Sequence, residues 1–175
     1  MPSSNKKGLF FAPKTLLMTK ILFPALLLLL CLGASAQVQN MPDFTFKRMP
    51  EGTDYAKKDL PAGKKTFFIF FDVTCPHCQR TITELNRRHK ELSAPSILLL
   101  TMDKKEDVMA FREKYGKDLF RLKNTTLLFD GQRQFIARFL PKMFPAMYLF
   151  NPQGGLLLYS NEEKDVDQFI RMIHP

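Results

Sequence analysis

The sequence predicts an α/β domain, with a mixed central β-sheet and helices on both of its faces. Two continuous apolar runs, at residues 66–71 and 96–101, are typical of buried strands. A stretch with helical spacing of apolar residues follows each run. Near the C-terminus, a Pro/Gly turn at residues 151–155 separates two further apolar runs and predicts a β-hairpin. Strands that alternate with helices and then form a hairpin are typical of an α/β sandwich.

The elements before residue 117 follow from local patterns. A weak alternation predicts the first strand, Ile82, Leu85 and Leu92 give the first helix its apolar side, and Val108 and Phe111 do so for the second. The expected elements are, in order, an edge strand at 43–47, a turn at 60–63, the strand at 66–71, a helix through residue 92, the strand at 96–101 and a helix that Gly116 ends.

The remainder of the chain is less regular between residues 117 and 141, where only short elements are indicated. An apolar stripe of Val166, Phe169, Ile170 and Ile173 predicts a closing helix. The expected elements are a short strand at 125–129, a short helix at 133–140, the hairpin strands at 146–150 and 156–159, and the closing helix.

Residues 1–36 have the features of a signal peptide. Four lysines precede an apolar stretch at residues 21–32, and Ala34-Ser35-Ala36 supplies a cleavage site. Met18 begins a compact signal peptide by itself and is an alternative start. The other alternative is an inner-membrane anchor through residues 21–36, but the apolar run is short for a bilayer span and contains Pro24.

Cleavage would leave residues 37–175, about one domain. This part holds all 17 acidic residues and 22 of the 26 bases, so its net charge is +5 rather than +9. A mildly basic surface gives no evidence for nucleic-acid binding. Cys31 is lost with the leader, which leaves Cys75 and Cys78 as the mature cysteines. One such pair cannot be explained by a disulfide scaffold, which favours catalysis.

Cys75-Pro76-His77-Cys78 is the strongest functional motif. A buried strand that runs directly into C-x-x-C and then into a helix predicts a thiol–disulfide exchange site. Cys75 would lie at the helix N-terminus, where free N–H groups and the helix dipole favour a thiolate. Cys75 is therefore the predicted nucleophile and Cys78 the resolving cysteine, and their chemistry requires no metal or organic cofactor.

These residues resemble the thioredoxin-fold superfamily, in particular the exported TlpA/ResA-like thiol–disulfide oxidoreductases of bacteria. The resemblance covers about residues 43–173 and also rests on Phe144-Pro145 before a strand and on the Asn151-Pro152-Gln153-Gly154 hairpin. It implies a thioredoxin-like fold in which Pro145 is cis and lies against the active-site disulfide. It also implies that Phe144 offers backbone groups to a substrate chain. Thr74 replaces the usual tryptophan before the first cysteine and joins this predicted substrate-binding surface.

Two further positions bear on the redox chemistry that the resemblance implies. Ile69 replaces the buried acid or amide that assists proton transfer at the second cysteine. Asp72 is a candidate substitute, although a strand-end aspartate is more often a solvated turn residue. Pro76 and His77 match the dipeptide of DsbA-type oxidants, in which the histidine stabilises the thiolate and makes the disulfide more oxidising. Residues 37–175 leave no room for the inserted helical domain of DsbA, so the direction of electron flow stays open.

The sequence thus predicts an exported, periplasmic thiol–disulfide oxidoreductase. Its expected partners are protein thiols and disulfides and a membrane or periplasmic redox partner, and its mature form is expected to be a soluble monomer. The alternative is a thioredoxin-fold metal or cytochrome-maturation chaperone that uses the same cysteines, with Met143 as a further ligand. Zinc is disfavoured because the three histidines show no ligand spacing. A peroxiredoxin is disfavoured because a second cysteine follows the nucleophile so closely.

Three apolar residues outside the motif are candidates for a partner groove. They are Phe44, Phe46 and Met143. Core packing is at least as good an explanation for each of them, and the sequence leaves both open.

Overall fold

A computed structural model describes Met1 and residues 38–174 of the chain. The rest of the predicted leader, including its cleavage site, lies outside the described residues. Among those that are described, no helix is long and apolar enough to cross a membrane.

The described residues form seven strands and four α-helices, joined by short 3₁₀ and π-helical turns. In chain order the elements are β1 (Thr45–Arg48), β2 (Asp54–Ala56), β3 (Thr66–Phe70), α1 (Pro76–Arg87), β4 (Ser96–Thr101), α2 (Lys105–Phe111), β5 (Thr125–Phe129), α3 (Gln134–Phe139), β6 (Ala146–Phe150), β7 (Leu156–Ser160) and α4 (Val166–Ile173). Each strand and helix expected from the sequence is present. The helix expected through residue 92 ends as an α-helix at Arg87 and continues as the 3₁₀ turn His89–Leu92.

Gly116 ends the second helix as predicted, but for a reason that the sequence does not show. A π-helical turn, Arg112–Gly116, extends α2. A Cβ atom at Gly116 would lie 2.8 Å from side-chain atoms of both Ile82 and Phe120. The glycine therefore permits a close approach between this turn and α1.

The strands form one mixed sheet in the order β2-β1-β5-β4-β3-β6-β7. β3, β4 and β5 are parallel, whereas β6 is antiparallel to β3 and the hairpin strand β7 is antiparallel to β6. The prediction of β1 as an edge strand is wrong, because β1 lies between β2 and β5. β2 takes the outer position; its three residues are too few for an alternation to be visible in the sequence.

Helices cover both faces of the sheet, which confirms the predicted fold class. Alternate residues of β3 point to opposite sides: Phe67 and Ile69 to one, Phe68 and Phe70 to the other. The first side is covered by α1, α2 and α4 and contains Cys78; we call its buried residues the cysteine-side cluster. The second is covered by α3, and we call its buried residues the aromatic-side cluster. Its members include Phe44, Phe46, Tyr55, Phe68, Phe70, Phe135, Phe139, Tyr148 and Phe150.

The strand register brings the C-x-x-C motif and Pro145 to the same edge of the sheet. Phe70, the last residue of β3, pairs with Ala146, the first residue of the antiparallel β6. It also pairs with Leu100 near the end of the parallel β4. The segments after β3 and β4 and before β6 therefore meet at one edge.

Candidate active site

The two cysteines differ sharply in exposure because of their positions on α1. Cys75 is the N-cap residue with an extended backbone, and Pro76 follows at the first helical position, where its missing N–H costs nothing. Cys75 is half-buried, whereas Cys78 is 0 % exposed and shares the inner face of the helix with Ile82 and Leu85. Both are unlinked thiols in this structure. The predicted nucleophile is thus accessible and the predicted resolving cysteine is shielded.

The surroundings of Cys78 disfavour its thiolate. Burial raises the pKa of Cys78 well above its ordinary value of 9.0. The backbone N–H of Asp72 lies 3.5 Å from the Cys78 sulfur and opposes this shift, while the Cys75 sulfur and the Asp72 carboxylate add to it. Ile69 is fully buried in the same cluster, so β3 supplies no ionisable side chain there. The backbone of Asp72 therefore contacts Cys78, and a proton-transfer role for its carboxylate stays a prediction.

The turn before Cys75 is fixed by two aspartates. The Asp72 Oδ1 atom accepts hydrogen bonds from the Thr74 N–H at 2.7 Å and from its hydroxyl at 2.6 Å. The Asp103 Oδ2 atom accepts from the Val73 N–H at 2.9 Å and from the Thr101 hydroxyl at 2.7 Å. Thr74 is exposed beside Cys75, as predicted for a surface residue, but its hydroxyl is already engaged.

Sequence reasoning missed Asp103. A signal for it existed, because Asp103 follows the buried strand β4, and parallel strands end at the same edge of a sheet. A polar residue just beyond the end of β4 was therefore a candidate neighbour of the segment that follows β3.

The segment before Pro145 lies against the nucleophile. The Phe144–Pro145 peptide bond is cis, as the resemblance implies. The Phe144 carbonyl oxygen lies 4.0 Å from the Cys75 sulfur, and the Phe144 ring packs on Phe70 with centroids 4.9 Å apart. A backbone acceptor is therefore placed beside the cysteine that would be attacked or would attack.

Two tyrosines from the C-terminal hairpin hold this segment. The Tyr148 hydroxyl donates to the Phe139 carbonyl at 2.8 Å, and the Tyr159 hydroxyl accepts from the Lys142 N–H at 2.9 Å. The two tyrosine rings contact each other with centroids 4.6 Å apart. They fix the chain on both sides of Leu140 and so limit where Phe144 can lie. Neither tyrosine stands out in the sequence, since both belong to ordinary strand patterns.

His77 is exposed and faces along the helix surface. Its Nδ1 atom lies 2.9 Å from Nη2 of Arg80, whose Nε atom donates to the Glu163 carboxylate at 2.7 Å. A guanidinium can only donate, so Nδ1 accepts and the imidazole is neutral with its proton on Nε2. Neither sulfur is a hydrogen-bond partner of His77 in the described part of the chain. The tuning of Cys75 by His77 stays a prediction.

The remaining candidates separate clearly by exposure. Phe44 and Phe46 are buried in the aromatic-side cluster, so for them the core-packing alternative is confirmed. Met143 is 58 % exposed. No group of three His, Cys, Asp or Glu side chains within the described residues is arranged to hold a metal ion.

Comparison with solved structures shows a thioredoxin-like fold. Peroxidoxin BcpB from Mycobacterium tuberculosis is similar with a TM-score of 0.62 and 16% identity, over 78% of this chain and 95% of that one. A protein from Chlorobium tepidum assigned as the thiol:disulfide interchange protein DsbE has a TM-score of 0.60 and 17% identity, over 79% and 99%. BsSco, a member of the Sco family of cytochrome c oxidase assembly proteins, has a TM-score of 0.56 and 17% identity, over 77% and 93%.

Sequence comparison gives the family. No sequence among the curated proteins matches the chain. A family model does match, over residues 38–157, which is more than half of the chain. That segment includes both cysteines of the C-x-x-C motif and the cis proline. The chain belongs to the AhpC/TSA family.

Proposed function

We propose that this protein is a thiol–disulfide oxidoreductase that exchanges disulfides with protein partners through Cys75 and Cys78. One observation carries the proposal: an accessible cysteine at a helix N-terminus stands beside a backbone carbonyl, with a second, buried cysteine one turn further on. The helix N-terminus favours negative charge on the first sulfur. An extended partner chain can align its backbone beside Phe144 while its disulfide meets Cys75.

The exchange is balanced without any further cofactor. The Cys75 thiolate attacks one sulfur of the partner's disulfide, and a mixed disulfide forms as the other partner sulfur leaves as a thiolate. Cys78 then loses its proton and attacks the Cys75 sulfur. The partner leaves fully reduced, two electrons have passed to it, and Cys75 and Cys78 are joined as a disulfide. The reverse sequence oxidises a partner dithiol.

The second step is the slower one at neutral pH by this geometry. The raised pKa of Cys78 leaves little thiolate to resolve the mixed disulfide. Ile69 offers no group to take its proton. Solvent or Asp72 must serve, and the former needs a local opening of the shielded site.

The finer placement of the protein rests on its sequence. The signal-peptide pattern of residues 1–36 supports export to the periplasm, where disulfide exchange is common. The strand before the motif, Phe144-Pro145 and the hairpin at 151–154 support a TlpA/ResA-like member with a membrane or periplasmic redox partner. The direction of transfer depends on the reduction potential of the cysteine pair.

An insulin-reduction assay with dithiothreitol as the electron source tests the activity. We expect the wild-type protein, without residues 1–36, to accelerate insulin reduction and Cys75→Ser to abolish the acceleration. Cys78→Ser should instead trap a mixed disulfide, detectable by non-reducing electrophoresis. Full activity of Cys75→Ser would refute the proposal. Equilibration with glutathione then gives the direction: about −120 mV indicates an oxidant and about −270 mV a reductant.

A metal or cytochrome-maturation chaperone is the second candidate. The fold likeness to BsSco favours it, and Met143 is exposed and two residues before Pro145. Copper(I) accepts thiolate and thioether ligands. Titration of the reduced protein with copper(I) separates the candidates. Sub-micromolar binding that is lost in both Cys75→Ser and Met143→Ala would favour the chaperone, whereas weak binding unaffected by Met143→Ala would exclude this ligand set.

A further inference from the structure

The exposed apolar side chains of this domain are concentrated beside the candidate active site. Apart from Met1, the exposed large hydrophobic residues of the described chain are Ile136, Leu140 and Met143, at 40 %, 48 % and 58 %. Ile136 and Leu140 are four residues apart at the end of α3 and share one helix face. Met143 is three residues further on and adjoins Phe144, whose carbonyl faces Cys75. We call these three side chains the apolar strip.

Leu140 is held outward in an unfavourable backbone conformation. It ends α3 with φ 53° and ψ 52°, in the left-handed region that favours glycine. A branched, half-exposed leucine at this position gains little burial in return. Glycine would satisfy the same helix end without strain. Strain of this kind at the edge of an active site points to a role for the side chain itself.

The charges around the apolar strip have one sign. Between residues 130 and 145 the bases are Arg133, Arg138 and Lys142, all exposed, and none forms an ion pair within the described residues. The acid in this segment is Asp130, which is buried and accepts hydrogen bonds from the N–H groups of Gln134 and Phe135. Arg138 donates to the backbone carbonyl of Asp43, so its charge is not neutralised there.

We propose that the apolar strip and its basic surround form a docking surface for an extended, apolar and acidic segment of the disulfide-bearing partner protein. The proposal rests on the proposed function and names the partner's chemistry. The partner's apolar side chains cover Ile136, Leu140 and Met143, and its carboxylates face Arg133, Arg138 and Lys142. Because this surface continues into Phe144, such a segment delivers its disulfide to Cys75.

Disulfide-linked peptides test this surface. The first peptide carries Leu and Phe beside its cysteine and two Glu, the second carries Lys in place of Glu, and glutathione disulfide is the small control substrate. We expect KM for the acidic apolar peptide to be about tenfold lower than for its basic counterpart. Leu140→Gly and Met143→Ser should each raise that KM about five- to tenfold, as expected for the loss of apolar burial. Neither should alter the rate with glutathione disulfide.

Two controls separate docking from stability and from net charge. Leu140→Gly removes the backbone strain, so its thermal midpoint should stay the same or rise while its KM rises. A purely structural role would move both in the opposite sense. Lys142→Glu should raise KM for the acidic peptide, whereas Lys123→Glu, which precedes β5 at the opposite edge of the sheet, makes the same charge change and should not.

Binding without exchange keeps the test independent of the proposed function. The acidic apolar peptide with serine in place of cysteine should bind wild-type protein, as followed by fluorescence anisotropy, and bind Leu140→Gly and Met143→Ser more weakly. Equal binding by all three proteins would overturn the docking surface. If this binding pattern holds but neither disulfide substrate is turned over, the docking surface stands and the proposed function fails.

Discussion

The two faces of the central sheet are covered in different ways. The cysteine-side cluster is packed by three helices and is rich in aliphatic side chains such as Ile82, Leu85 and Ile170. The aromatic-side cluster is covered by α3, a helix of six residues, and by the chain before β1. Its rings contact each other directly; Phe135 and Phe139, for example, stack with centroids 4.2 Å apart.

This difference shows how little backbone is needed when the side chains are large. Aromatic side chains bury about 150–250 Å² each, so a few rings close a face that otherwise takes several helices. The cysteine side needs long helices for another reason, because α1 must present one cysteine to solvent and bury the next. The aromatic side carries the segment before Pro145 and thus positions the partner's side of the reaction.

The largest expected effect comes from breaking the aromatic side at its centre. Phe135 contacts the rings of Phe46, Phe68, Phe70, Phe139 and Tyr148. We expect Phe135→Ala to lower the free energy of unfolding by about 4–5 kcal/mol, near the upper end for such a truncation. Urea denaturation followed by circular dichroism measures this loss.

The matched control is Phe169→Ala on the cysteine side. Phe169 is equally buried, but its ring contacts that of Phe67 alone among the described residues. Because aromatic pairs add about 0.5–1.5 kcal/mol beyond area burial, Phe169→Ala should cost less, about 3 kcal/mol. A loss equal to that of Phe135→Ala would mean that ring contacts do not distinguish the two faces.

A smaller effect sharpens the comparison through pH, since the cysteine side buries a thiol. The folded state raises the pKa of Cys78, so below about pH 9 the thiol is protonated in both states and the stability is fully present. Above that, the unfolded chain releases the proton first, and the reduced protein should lose up to about 1.4 kcal/mol per pH unit.

Urea midpoints between pH 7 and 10 measure this slope. Cys78→Ala should remove it while leaving the fall above pH 10 that Tyr55, whose pKa is also raised by burial, contributes. An unchanged slope in Cys78→Ala would assign the effect to other groups.

The smallest expected effect on stability tests the link between the aromatic side and the active site. Tyr159→Phe keeps the ring contact with Tyr148 but removes the acceptor of the Lys142 N–H. We expect a loss of about 1 kcal/mol in unfolding free energy. The rate of insulin reduction should fall several-fold, because the segment that ends at Phe144 is no longer held beside Cys75.

Tyr115→Phe is the matched control for this change. It also removes one phenol hydroxyl, but its ring packs on Phe111 in the cysteine-side cluster. Its activity should equal that of the wild type. If Tyr159→Phe is as active as Tyr115→Phe, the tyrosine does not position the segment before Pro145.

Much of the fold was accessible from local patterns. β3 and β4 are continuous apolar runs and α4 has a clear apolar stripe, so their bounds were predicted almost to the residue. The cis bond before Pro145 came from resemblance rather than from the residues themselves. β2 was missed because three residues carry no period, and that omission made β1 look like an edge strand.

The candidate site divides in the same way. Cys75 and Cys78 could be assigned because the motif, the strand before it and the helix after it are contiguous in the chain. Asp103 and Tyr159 are 28 and 84 residues from Cys75, and their side chains have no distinctive local pattern. The exposure of Met143 and the burial of Phe44 were equally undetermined, since each depends on which surfaces pack together.

The sequence by itself determined the order of strands and helices, the cysteine pair and the polarity of that pair on its helix, because these depend on spacing along a single element. Only the tertiary structure decided that Asp72 and Cys78 contact through the backbone, that His77 faces Arg80, and that the apolar strip lies beside Phe144. Such contacts join distant segments or depend on side-chain direction, and both are set by the packing of the whole sheet.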